Sequence, residues 1–145
     1  MSVRNPKLLL KKSWLWESKV NDLLHSFELK PSINIPCGKS PLGDVRVDID
    51  ASVNPTQVSD ILAYPIPRQF KTVFSDPPWK LNYYKRFKWF FKCVDLCEVG
   101  GRIVYNALWI PESKCVKLDE TIVRQSAPFS NTSIISIFTK IKDKP

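Results

Sequence analysis

The chain has 145 residues, 43% of them hydrophobic, which supports one hydrophobic core and no more. No apolar run approaches the ~20 residues that a membrane-crossing helix needs, so no membrane association is expected. The formal net charge of +8 comes from 22 basic and 14 acidic side chains and is unevenly spread: residues 31–79 carry four basic and five acidic groups, while residues 80–145 carry twelve basic and six acidic.

Residues 1–10 are basic and then briefly apolar, without the long apolar stretch and small-residue cleavage site of a signal peptide, which makes a cytoplasmic protein the expectation. Residues 6–27 read as an N-terminal helix, because Leu8, Leu9, Leu15, Trp16, Val20, Leu23, Leu24 and Phe27 recur at three- and four-residue spacings. Pro31 ends it. Short strands follow at 32–36 and 45–49, with a third within 57–62. Residues 71–75 form a buried strand that stops at Asp76, Pro77 and Pro78, since proline cannot continue a ladder. Residues 82–98 carry an apolar stripe of Tyr83, Phe87, Phe90, Val94 and Cys97 and predict a helix, ended by Gly100 and Gly101. Strands at 102–108, 121–124 and 133–141 complete the chain, with a turn around Pro128 and Asn131 between the last two. Strands alternating with helices predict a compact α/β fold around a mostly parallel sheet, with an antiparallel C-terminal hairpin at one edge. The connections after the first two strands are too short for ordinary helices.

Cys37, Cys93, Cys97 and Cys115 match no zinc-ligand spacing, and His25 is the only histidine, so no metal is expected and the thiols should be buried. The first strand ends in Cys37 and Gly38, where a glycine lets the backbone approach a ligand closely. The second strand ends in Asp48, with Asp50 two residues on; a carboxylate at that place can accept from both hydroxyls of a ribose. Asp60, after the third strand, can accept from an adenine amino group or cap a turn.

The most specific segment is Asp76, Pro77, Pro78 and Trp79. An aromatic amino group is planar and a poor nucleophile. The Asp76 carboxylate and the Pro77 carbonyl can take its two N–H hydrogens and draw the nitrogen toward tetrahedral geometry. The prolines hold these acceptors in place, and Trp79 offers a face for stacking.

This order of motifs resembles the class I, Rossmann-like S-adenosylmethionine-dependent methyltransferases over residues 33–141. By that resemblance Pro36, Cys37 and Gly38 stand where the glycine-rich first motif would be, with Pro36 at one expected glycine. Asp48 (with Asp50 in reserve) stands for the ribose-binding acid and Asp60 for the adenine contact. Asp76 to Trp79 resemble the D/N-P-P-aromatic motif of amino-methyltransferases, above all N6-adenine enzymes of archaea, phages and archaeal viruses. Gly100 and Gly101 resemble the turn before the fifth strand. The implied cofactor is S-adenosyl-L-methionine, and the implied organisation is an N-terminal helix over 1–30 packed on a methyltransferase domain over 31–145. Two departures matter. The three-glycine pattern is lost, and only residues 39–44 remain for the first crossover, leaving either an unusually tight loop or a degraded cofactor site.

Residues 80–92 hold five basic residues, six aromatics and no acid. Lys80, Lys85, Arg86 and Lys88 are candidates for phosphate contacts, making DNA or RNA the expected partner; the alternative is a solvated basic helix face. With helices missing between the first strands, the N-terminal helix must cover one sheet face almost alone, which predicts a self-association or protein-partner surface beside it. The sequence favours methyl transfer to adenine N6. The alternatives are another amino group (guanine N2 or a glutamine amide) or a non-catalytic nucleic-acid-binding subunit.

Overall fold

A computed structural model of the chain describes residues 7–11, 18–77, 83–126 and 132–144. Within them lie β1 (Lys7–Lys11), α1 (Ser18–His25), β2 (Ser32–Asn34), β3 (Val45–Asp48), β4 (Gln57–Val58), β5 (Phe70–Ser75), α2 (Tyr83–Leu96), β6 (Cys97–Ala107), β7 (Val116–Ser126) and β8 (Thr132–Lys140). The strands form one sheet in the order β1-β7-β8-β6-β5-β2-β3-β4. β8 runs antiparallel to β6 and β7, and the remaining pairs are parallel. The expected α/β fold, a mostly parallel sheet with antiparallel C-terminal strands, is the one that forms.

Period-two alternation in β5 and β6 sends neighbouring side chains to opposite faces, so the core lies as two clusters, one on each face of the sheet, rather than as the single core expected. Val73, Ile103 and Tyr105 join Trp89, Phe90, Cys93 and Val94 of α2 on one face. Phe74 and Val104 join Val20 and Leu24 of α1, with Ile122, Ile135 and Ile137, on the other. The Phe90 ring lies edge-on to Tyr105 at 5.1 Å and 5.2 Å from Phe138, which fixes α2 over the centre of the sheet. All four cysteines are buried free thiols. Burial pushes the Cys93 and Cys97 thiols up to about 12.

The strand order reverses between β2 and β5. From β2 the chain proceeds outward through β3 and β4; from β5 it proceeds the other way. No α-helix lies in the connections β2–β3, β3–β4 or β4–β5, all of which are described; the second carries only a 3-10 turn, Ala51–Val53. The first connection is a tight loop. It places Leu42 in the α1-side core, and the Asn34 amide donates to the Leu42 carbonyl at 3.1 Å.

Two expectations need correction. The continuous helix over 6–27 is not formed: residues 7–11 are a strand, parallel to β7 with Leu9 opposite Arg124, and the helix spans only Ser18–His25. Leu8, Leu9 and Leu10 are consecutive, a run that fits a buried strand as readily as a helix, and pairing with β7 decides between them. β1 thus takes the sheet edge outside the β7–β8 pair. Trp14, Leu15 and Trp16, also expected in that helix, lie outside the described residues. The second correction concerns Gly100 and Gly101. They do not end α2, which stops at Leu96; they lie inside β6. A Cβ on Gly101 would sit 2.7 Å from the Lys71 carbonyl oxygen and 2.8 Å from the Cys97 sulfur, so close contact between β5 and β6 requires glycine there.

Candidate active site

A cavity of about 510 Å³ opens at the carboxyl ends of β2, β3 and β5, where the strand order reverses. That is the usual ligand position in open α/β sheets, and the volume lies in the ordinary range for small-molecule sites. Its walls include Pro36, Cys37, Gly38, Asp48, Asp60, Asp76 and Lys85, seven residues singled out from the sequence. They come from five separate chain segments, which the parallel sheet and α2 bring together.

Each segment is held by identifiable bonds. The Cys37 N–H donates to the Val47 carbonyl at 2.9 Å, continuing the β2–β3 ladder past the end of β2. Gly38 has φ +50, a left-handed conformation that glycine adopts without strain, and a Cβ there would meet nothing within 4 Å. The need for glycine at this turn is conformational. The Gly38 N–H donates to Asp48 Oδ2 at 2.8 Å, and the Asp50 N–H donates to Asp48 Oδ1 at 3.0 Å. Asp48 is only 8% exposed, and both of its oxygens are oriented by backbone donors at the cavity wall. Asp60 accepts from the Leu62 N–H at 3.0 Å, which closes the turn that carries Ile61 and Leu62 into the wall. Burial holds the Cys37 thiol above its ordinary range, against the opposing charge of Arg46.

Asp76 follows the last residue of β5. The register pairs Ser75 with Tyr105, which sets Asp76 beside Asn106 of β6. The Asn106 amide donates to Asp76 Oδ1 at 2.9 Å. Beneath, the Trp89 indole N–H donates to Ser75 Oγ at 2.9 Å, and that hydroxyl donates to the Ile35 carbonyl at 2.6 Å. This relay ties α2, β5 and β2 together directly under the cavity floor.

The remaining sequence candidates are placed differently. Asp50 is not among the lining residues; its carboxylate caps the 3-10 turn by accepting from the Ser52 N–H and hydroxyl, which holds it below the ordinary carboxylate range. Pro77 is buried beside Asp76. Arg86 and Lys88 follow Lys85 along α2, half-buried and exposed respectively, outside the cavity wall. Pro78, Trp79 and Lys80 lie outside the described residues. Sequence reasoning missed Lys39, Ser40, Ile49 and Trp89 in the wall, Asn106 behind Asp76, and Arg46 under the loop. For Arg46 a signal existed: a charged residue flanked by Val45 and Val47 in a short parallel strand must find partners at once.

No family model and no curated protein sequence matches the chain. Solved structures do. An N-methyltransferase, NodS of Bradyrhizobium japonicum, in complex with S-adenosyl-L-homocysteine, is similar with TM-score 0.65 and 11% identity over 88% of each chain. An rRNA methylase of Streptococcus thermophilus is similar with TM-score 0.55 and 11% identity over 86% of this chain and 95% of that one. TrmN of Thermus thermophilus is similar with TM-score 0.56 and 11% identity over 84% of this chain, but this chain spans only 48% of that one. At such identities the likeness concerns the fold: this chain has the fold of S-adenosylmethionine-dependent methyltransferases. Among the described residues no helix is long and apolar enough to cross a membrane.

Proposed function

We propose that the protein transfers a methyl group from S-adenosylmethionine to an exocyclic amino group, with adenine N6 in DNA or RNA as the target. The observation that carries this reading is the convergence of Asp76 with Asp48, Asp60 and the Gly38 turn on one cavity. The residues fit the cofactor. Its cationic sulfonium matches a wall with three carboxylates, its ribose hydroxyls suit the oriented Asp48, and its adenine amino group suits Asp60. Bound there, S-adenosylmethionine supplies an electrophilic methyl group. The chain's own work is then positional. Asp76 and the Pro77 carbonyl would accept hydrogen bonds from the two N–H groups of the target amine, freeing its lone pair for in-line attack with S-adenosylhomocysteine as the leaving group. The proton shed by the methylated nitrogen would pass to the Asp76 carboxylate. Asn106 restrains the Asp76 carboxylate during this step. Lys85 at the cavity wall, with Arg86 and Lys88 further along α2, contacts backbone phosphates, and a duplex target base must leave its stack to reach Asp76.

Incubation with methyl-labelled cofactor and mixed DNA and RNA, followed by nucleoside analysis, tests the reading. Label in N6-methyladenosine or its deoxy form is expected, and Asp76→Ala should abolish it. Label in guanine N2 would move the target within nucleic acid, and label confined to glutamine amides of added protein would move it to protein. A wild-type rate in the variant would remove Asp76 from the chemistry, and absence of transfer from bound cofactor would favour a non-catalytic nucleic-acid-binding subunit.

A further inference from the structure

The loops that follow β2 and β3 lack the helices that ordinarily satisfy and orient such backbone, yet both shape the cavity rim. Arg46, in the middle of β3, lies between them. Its Nε donates to the Ser40 carbonyl at 2.9 Å, Nη2 to the Gly38 carbonyl at 3.0 Å, and Nη1 to the Asn54 carbonyl at 2.9 Å. Nη2 also reaches the Val53 carbonyl at 3.5 Å. One guanidinium therefore binds carbonyl groups of both loops. The Arg46 backbone N–H adds a bond to Thr56 Oγ1 at 3.0 Å, tying the end of the second loop to the same residue.

We propose that Arg46 is the positioning residue of the cofactor site, doing with one planar fork of donors what the missing crossover helices would do. By holding the Gly38 and Ser40 carbonyls it fixes the peptide units around Lys39, and so the rim formed by Gly38, Lys39 and Ser40. The same turn delivers the Gly38 N–H to Asp48. By also holding the Asn54 carbonyl it couples the loop after β3 to the loop after β2, so that the two move as one body. Lysine cannot replace it, because an ammonium is a point donor without the fork that reaches carbonyls on two loops. The inference rests on the cofactor reading given above, and adds that affinity depends on a residue that does not itself line the cavity.

The test uses the full chain, with S-adenosylhomocysteine as the titrant in calorimetry and amide hydrogen exchange measured without ligand. Arg46→Met and Arg46→Lys are compared with wild type. In both variants, the amides of residues 38–40 should exchange faster by about tenfold or more while those of β5 and β6 stay protected; the dissociation constant should rise by about tenfold or more in Arg46→Met, with lysine restoring little of it. Wild-type affinity in either variant, or unchanged loop exchange, overturns the proposal. Should Arg46→Met fail to fold, Arg46→Lys carries the same test. If the wild type binds no S-adenosylhomocysteine, the cofactor reading fails and the role of Arg46 in it falls too, whatever the loop amides do.

Discussion

On the β5–β6 side of the switch point the site stands on packed apolar side chains. On the β2–β4 side the strands are packed too, through Ile33, Ile35 and Val47, but the loops that carry the site stand on hydrogen bonds. Asp76 ends a strand buried on both faces, under a helix whose Trp89, Phe90, Cys93 and Val94 fill the core. Gly38 instead lies in the loop beyond the three-residue β2, Asp48 ends the four-residue β3, and the loops there are held by Arg46, Asp48 and the Ser40 hydroxyl donating to Asn21. The two glycines show the same contrast. Gly101 is required because a methyl group would strike the neighbouring strand; Gly38 is required because of its φ, with open space around it. A short chain can thus drop crossover helices on one side of a doubly wound sheet if polar bonds replace them. Damage on the packed side should then appear as lost stability, and damage on the bonded side as lost affinity.

The largest expected effect is on the packed side. Phe90→Ala removes a fully buried ring from between Tyr105 and Phe138 and should cost about 3–5 kcal/mol in urea unfolding, a large share of a small domain's stability. A loss below ~1 kcal/mol would mean that α2 does not anchor this half.

The glycine pair sharpens the contrast. Gly101→Ala should cost about 1–3 kcal/mol by overpacking, because the opposing atom is a backbone carbonyl that cannot rotate away. Gly38→Ala should cost about 1–2 kcal/mol from backbone strain alone. Thermal melts of the two variants, with and without S-adenosylhomocysteine, give the comparison. Ligand should stabilise Gly101→Ala as it does wild type, and Gly38→Ala much less. Equal ligand stabilisation in both would break the division between the two sides.

Much of this architecture was legible in the sequence. The helix expected over 82–98 is α2, Tyr83–Leu96, because its aromatic stripe is long and regular. The buried strand running into Asp76-Pro77 was equally clear, since a β-branched run stopped by prolines has few other readings. Asp48 and Asp60 were located as strand-end carboxylates, and the structure sets both at the cavity. What stayed hidden depends on distant partners. β1 is a strand because β7, more than a hundred residues later, offers it an edge. Gly101 looked like a helix terminator, but its constraint comes from the Lys71 carbonyl across the sheet. Arg46 and Asn106 do their work through carbonyls and a carboxylate that only the fold brings within reach.

A smaller effect belongs at the base of the bonded loop. Asp44 Oδ2 accepts from the Ser32 N–H at 2.9 Å, and its Oδ1 lies 3.4 Å from Lys30 Nζ. The Ser32 backbone donor first, and then Lys30, hold the Asp44 carboxyl below its ordinary range. A depressed folded-state value means the contribution is present above the unfolded carboxylate range and disappears as the pH falls through the folded one. With the side chain partly exposed, Asp44→Asn should cost less than ~1 kcal/mol at neutral pH. The two proteins should converge in strong acid. A difference that persists or grows there would contradict the assignment.

The central claim is that one cavity divides its labour, with Asp48 serving the cofactor and Asp76 serving the target amine. Calorimetric titration of S-adenosylmethionine into wild type, Asp48→Ala and Asp76→Ala tests it most directly. The account predicts one saturable site in wild type, affinity weaker by more than about tenfold in Asp48→Ala, and nearly wild-type affinity in Asp76→Ala. No binding by wild type, or equal losses in the two variants, would contradict it.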